Sequence, residues 1–124
     1  MREHEEKPAA KPLVWMGDSL EGVRGFPPPA KDEIGFALYQ AQIGNKHVNA
    51  KPMKGLGSGV FEIVSDCHTD TFRAVYTVKL ANKVYVLHAF QKKSKSGIAT
   101  PRPEIELIKH RLKRAVELHL EQGN

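Results

Sequence analysis

The sequence predicts a compact α/β fold of the α+β kind: a strand, a helix, a meander of three antiparallel strands and a closing helix. Three observations predict it. Phe72, Ala74, Tyr76, Val78 and Leu80 alternate with Arg73, Val75, Thr77 and Lys79, the period of two expected of a strand. Residues 84–90 are apolar on both faces apart from His88, as in a central strand. Ile105, Ile108, Leu112, Ala115 and Val116 form one stripe at helical spacing.

The chain has 124 residues, which fits a single domain with one modest core. Residues 1–12 are polar and proline-containing and read as a flexible N-terminal tail, leaving a domain over 13–120. Leu13-Val14-Trp15-Met16 is a short apolar run ended by Gly17-Asp18-Ser19, a first strand. Gly22, Gly25 and Pro27-Pro28-Pro29 read as a break. A helix follows from about Ala30 to Ile43, with Ile34, Ala37, Leu38 and Ala41 on one face and Gly44-Asn45 as its stop. Residues 46–59 form a glycine-rich loop holding Lys51 and Lys54, and Val60 to Val64 is the first meander strand. Residues 65–71 are turn-like, and Ala81-Asn82-Lys83 is a short turn between the last two strands. Residues 91–103 form a basic loop, after which Pro103 opens a helix that runs to about Leu120.

Lysine and arginine total 19 against 14 acidic residues, for a net charge of +5. The excess is local: residues 91–114 hold eight basic side chains (Lys92, Lys93, Lys95, Arg102, Lys109, Arg111, Lys113 and Arg114) against Glu104 and Glu106. A patch of this sign suits a polyanion partner, nucleic acid foremost. Arg73 lies in mid-strand, opposite the apolar face. It is too costly to bury alone, so it faces solvent, a carboxylate or a phosphate-binding concavity. The one cysteine, Cys67, excludes an intrachain disulfide and a site built on several thiolates. His47, His68 and Asp70 show no metal-ligand spacing, so no metal and no cofactor are expected. The charged start MREHEEKPAAKP has no apolar core of a signal peptide, and no run approaches the ~20 apolar residues needed to cross a bilayer. A cytoplasmic protein with no membrane partner is expected.

Three segments carry a resemblance. The first is Val14-Trp15-Met16-Gly17-Asp18-Ser19-Leu20 with Phe26-Pro27 and the helix ending Gln42-Ile43-Gly44. The second is Lys54-Gly55-Leu56 leading to Val60-Phe61-Glu62-Ile63. The third is His88-Ala89-Phe90-Gln91-Lys92-Lys93-Ser94, then Thr100-Pro101 and Glu104-Ile105. In this order, with Phe72-Arg73-Ala74-Val75-Tyr76-Thr77-Val78 on the middle strand, the chain resembles the RelE/HigB toxin superfamily, and within it the phage-derived Gp49-like branch.

The resemblance implies a twisted, mostly antiparallel sheet of about four strands with helices packed on one side. It implies the toxin of a type II toxin–antitoxin system, a metal-independent mRNA endoribonuclease acting on the ribosome, with a helix-turn-helix antitoxin as partner. It places Arg73 at the scissile phosphate and a basic residue, Lys92 or Lys93, just after the last strand.

His88 is a candidate acid or base by its chemistry, and alternates with Val84, Val86 and Phe90, which also suits a hydrogen-bonded core histidine. Lys51, Lys54, Lys95 and Arg102 are candidate RNA contacts. Two features depart from RelE: Phe61-Glu62-Ile63-Val64 has no lysine where RelE carries them, and residues 94–103 contain no tyrosine. These departures motivate an alternative, a non-catalytic RNA- or antitoxin-binding protein that keeps the fold. A DNA-binding regulator is a weaker third reading, since no helix-turn-helix is evident.

Overall fold

A strand that is apolar on both faces must be covered on both faces, and this requirement organises the molecule. The computed structural model describes residues 9–92 and 100–122. Its elements are β1 (Leu13–Trp15), α1 (Ser19–Arg24), α2 (Pro28–Gln42), β2 (Ala50–Pro52), β3 (Val60–Cys67), β4 (Asp70–Thr77), β5 (Val84–Lys92) and α3 (Arg102–Gln122). The strands form one sheet in the order β1-β5-β4-β3-β2. Only the β1–β5 pairing is parallel; the other three pairings are antiparallel.

One face of the sheet packs against α1 and α2. There Phe72, Ala74, Tyr76, Val84 and Val86 meet Val23, Phe26, Ile34, Ala37, Leu38 and Ala41. The other face packs against α3, where Val75, Tyr85, Leu87 and Phe90 meet Ile108 and Ala115, with Ile105, Leu112 and Leu118 at the margin. Helices therefore lie on both sides of the sheet rather than one. The reason is visible in β5, where Val84 and Val86 belong to one core, and Tyr85 and Leu87 to the other.

The sheet has five strands, against about four expected. The extra strand, β2, is three residues long and lies inside the segment that reads as a loop. Pairing with β3 creates it, through Ala50↔Ile63, Lys51↔Glu62 and Pro52↔Phe61. The turn-like residues 65–71 mostly belong to strands, because β3 and β4 continue to the pair Cys67↔Asp70 and leave a two-residue hairpin loop. His68 adopts a positive φ of 59° there, as such hairpin loops require.

The break at 22–29 begins inside α1, where Gly22 permits close approach to β5. A Cβ at that position would lie 2.9 Å from the Ala89 carbonyl oxygen. Pro28 and Pro29 occupy the first turn of α2, where a missing N–H costs nothing. Residues 1–8 of the expected tail lie outside the described residues. Lys11 and Pro12 are held: the Lys11 N–H donates to the Gln42 carbonyl at 3.0 Å, and the Val84 N–H donates to the Pro12 carbonyl at 3.0 Å.

Tyr76 sits in the core under α2 and stacks on Phe61 with ring centroids 5.5 Å apart. Burial pushes its hydroxyl up to about 12 from an ordinary value of 10.0. Burial also raises that of Tyr85. Between pH 10 and pH 12 the unfolded chain releases the Tyr76 proton while the folded chain keeps it. Stability should therefore be full below pH 10 and decline through that window by up to about 3 kcal/mol. Tyr76→Phe should flatten most of this decline in urea unfolding followed against pH.

Candidate functional site

Cross-strand partners in a sheet share a face, so register alone places side chains together. Lys51 pairs with Glu62, Glu62 with Val75, and Val75 with His88, one row across four strands. The next row is Val64, Arg73 and Phe90, and the one after it Asp66, Thr71 and Lys92. All three rows lie on the α3 side of the sheet. Arg73 is thus flanked diagonally by Glu62 on β3 and His88 on β5.

The guanidinium of Arg73 is buried and ion-paired. Its Nη1 donates to Glu62 Oε2 at 3.1 Å, and the two side chains are only 7% and 14% exposed. Of the three environments open to this arginine in the sequence, the carboxylate partner is the one observed. Glu62 Oε2 also accepts from Thr100 Oγ1 at 2.9 Å, which ties the approach to α3 to the same carboxylate. Glu62 opens onto a cleft of about 460 Å³, lined also by Lys51, Pro52, Met53, Lys54, Thr100 and Ile105. Two of the lysines expected to meet RNA, Lys51 and Lys54, therefore line the same cleft as Glu62, the carboxylate that holds Arg73. Lys92 is half-buried at the end of β5, and Arg102 is exposed at the start of α3. Lys93 and Lys95 lie outside the described residues.

His88 does not share a face with Val84 and Val86, as simple alternation suggested. A β-bulge intervenes: Val75 pairs with His88 but Tyr76 pairs with Val86, so Leu87 is extra. The bulge turns both Leu87 and His88 toward α3, the kind of re-aiming bulges perform. His88 Nε2 lies 2.6 Å from Glu104 Oε1, Nδ1 lies 3.4 Å from Arg111 Nη1, and the ring stacks on Phe90 at 5.0 Å. The imidazole is buried with both nitrogens engaged, while Glu104 is about one-third exposed.

Four residues with contacts here had no site role in the sequence reading: Glu62, Thr100, Glu104 and Arg111. Each is an ordinary strand, loop or helix residue until register and packing bring it to the site. Arg111 also pairs with Asp18 at 2.9 Å, and its guanidinium holds the Asp18 carboxyl below the usual carboxylate range. Among the described residues, no group of three or more His, Cys, Asp or Glu side chains gathers closely enough to hold a metal ion. No described helix is long and apolar enough to cross a membrane.

The family model described as Phage derived protein Gp49-like (DUF891) matches residues 21–113. The chain belongs to the Gp49-like family. No curated protein matches the sequence. Among solved structures, this Gp49-like chain is similar to the toxin RelE of E. coli, an arginine-to-alanine double mutant in the free state. That likeness has a TM-score of 0.55 and 17% identity, over 85% of this chain and 97% of the other. It is also similar to the toxin–antitoxin complex RelBE2 of Mycobacterium tuberculosis, with a TM-score of 0.46 and 13% identity, over 73% of this chain and 100% of the other. The first of these likenesses shows the RelE-like fold. The family match and that fold bear out the resemblance to the Gp49-like branch of the RelE/HigB superfamily.

The two carboxylates of this Gp49-like site differ in what their loss should do. Glu62→Ala strips a buried guanidinium of its carboxylate and should cost about 3 kcal/mol in urea unfolding. Asp18 is largely exposed, and solvent screens its pair with Arg111. Its contribution is present above about pH 4 and is lost as pH falls through its lowered folded value. Asp18→Asn should therefore cost far less than Glu62→Ala and slightly flatten the acid limb of stability against pH.

Proposed function

We propose that this chain is the toxin of a type II toxin–antitoxin pair, a cytoplasmic endoribonuclease that cuts mRNA on the ribosome and arrests growth. The reading is carried by one observation on a RelE-like fold: Glu62, the carboxylate paired with the buried Arg73, lines a cleft together with Lys51 and Lys54.

The chemistry needs four parts. The substrate's 2′-hydroxyl loses its proton, its oxygen attacks the adjacent phosphorus, the bond to the 5′-oxygen breaks, and that oxygen gains a proton. The products are a 2′,3′-cyclic phosphate and a 5′-hydroxyl. Arg73 supplies a fork of N–H donors that matches two phosphate oxygens. When a phosphate takes over that fork, Glu62 is released from it and becomes available to accept the 2′-hydroxyl proton. Lys51, Lys54 and Lys92, with Lys93, Lys95 and Arg102, bind flanking phosphates, and a lysine ammonium supplies the proton for the 5′-oxygen. We read His88 in a different part: with Nδ1 facing Arg111 and Nε2 on Glu104, it orients Glu104. DNA is excluded as a substrate because it lacks the attacking hydroxyl. The partner is a helix-turn-helix antitoxin.

A second reading, a non-catalytic RNA- or antitoxin-binding protein, is favoured by one specific observation. Arg73 is already held by a buried carboxylate, and freeing the guanidinium from that pair for a phosphate costs free energy.

Cleavage separates the two. Purified protein incubated with ribosomes and mRNA, with 5′ ends mapped, should yield discrete cuts and 5′-hydroxyl termini. Arg73→Ala should lower the rate by about 10²–10³-fold and relieve growth arrest, with the circular dichroism unchanged. Cutting by that variant at the wild-type rate would remove Arg73 from the mechanism. No cutting by the wild type would favour the second reading.

A further inference from the structure

Arg111 lies on the third turn of α3, yet its guanidinium reaches three residues in two other parts of the molecule. Nη2 pairs with Asp18 Oδ1 at 2.9 Å in the turn between β1 and α1. Nη1 donates to the Leu87 carbonyl at 3.0 Å, the extra residue of the β5 bulge. The same Nη1 stands 3.4 Å from His88 Nδ1. The side chain is only 14% exposed.

The space for it is made by Gly17. That residue has a φ of +54°, and a Cβ there would lie 2.5 Å from the guanidinium carbon, inside any tolerable contact. A glycine with no functional group thus leaves a seat that the arginine fills.

We propose that Arg111 is a positioning residue that sets the proton location and orientation of His88, and through it the placement of Glu104. A guanidinium can only donate, so the Nδ1 it faces must accept. The ring proton then sits on Nε2, where it donates to Glu104 Oε1 at 2.6 Å. The result is a continuous chain: Asp18 carboxylate, Arg111 guanidinium, His88 imidazole, Glu104 carboxylate. Its first end is on the surface and its last end, Glu104, is at the start of α3. The bulge matters because it both turns His88 toward α3 and presents the Leu87 carbonyl that holds Arg111. This inference deepens the nuclease reading and rests on it for its kinetic consequence only.

The test uses the full chain with ¹⁵N-labelled histidine, His88 being assigned by loss of its signals in His88→Gln. Long-range ¹H–¹⁵N spectra near neutral pH should show His88 Nδ1 as a bare nitrogen and Nε2 protonated. Arg111→Met should move the Nδ1 resonance away from that position. Arg111→Lys, which keeps the charge and loses the fork, should do the same. Gly17→Ala should do so as well, because the added methyl occupies the guanidinium's seat. In single-turnover cleavage, all three should lose about 10²-fold in rate with little change in RNA binding.

The proposal is overturned if Gly17→Ala and the Arg111 variants leave the Nδ1 resonance in place. It is equally overturned if the rate falls while the resonance stays, since that pattern marks a merely structural residue. A wild-type chain that cuts no RNA overturns the nuclease reading instead, and the resonance alone then decides whether Arg111 holds His88. Should Arg111→Met fail to fold, Arg111→Lys, which keeps the charge and most of the side chain, decides the matter.

Discussion

A guanidinium in the middle of a sheet face needs a compensating charge, and here Glu62 provides it. The Arg73–Glu62 pair is buried, diagonal across two strands and shared with Thr100. Breaking such a pair is costly because one charge is left behind in a poorly solvated place. The neighbourhood is built to suit it. β2 adds Lys51 beside Glu62, the start of α3 closes one side, and the β5 bulge turns His88 toward the arginine's face. The pair anchors structure in the resting protein, and it is also the feature a phosphate would have to reorganise.

This arrangement follows from how the two cores share the sheet. The α1–α2 side is apolar from Phe72 to Val86 and offers no polar side chain from the middle of β4. The α3 side is different: Val75, Tyr85, Leu87 and Phe90 pack there with Ile108 and Ala115, and the same face also carries Glu62, Arg73, Thr71 and Lys92. A polar site therefore shares a face with an apolar one. The charges at the start of α3 then meet the charges of the strands.

Much of this was legible in the residues. The alternation around Arg73 places it on the face opposite Phe72 and Tyr76, and β4 carries it there. The apolar run in β5 correctly implies a central strand, with β1 and β4 on its two sides. The same run also held the reason for helices on both faces, since a strand apolar on both sides needs two covers. Other features were not legible, for physical reasons. β2 is three residues long and owes its existence to pairing, so no local periodicity marks it. Gly22 and Gly25 read as breakers, although Gly22 is what lets α1 approach Ala89. The bulge at Leu87 adds one apolar residue among apolar residues, which leaves the hydrophobic pattern unchanged while moving His88 to the other side. Glu62 lies eleven positions before Arg73, and only the β3–β4 register brings them together.

The central claim is that Arg73 exchanges its carboxylate for an RNA phosphate. A crystal structure of the full chain with a short RNA, its attacking 2′-hydroxyl blocked by a methyl group, tests this most directly. The account predicts a phosphate within hydrogen-bonding reach of the Arg73 guanidinium and the Glu62 carboxylate turned toward the blocked 2′-oxygen. RNA bound elsewhere, over an Arg73–Glu62 pair left as it is, would contradict it.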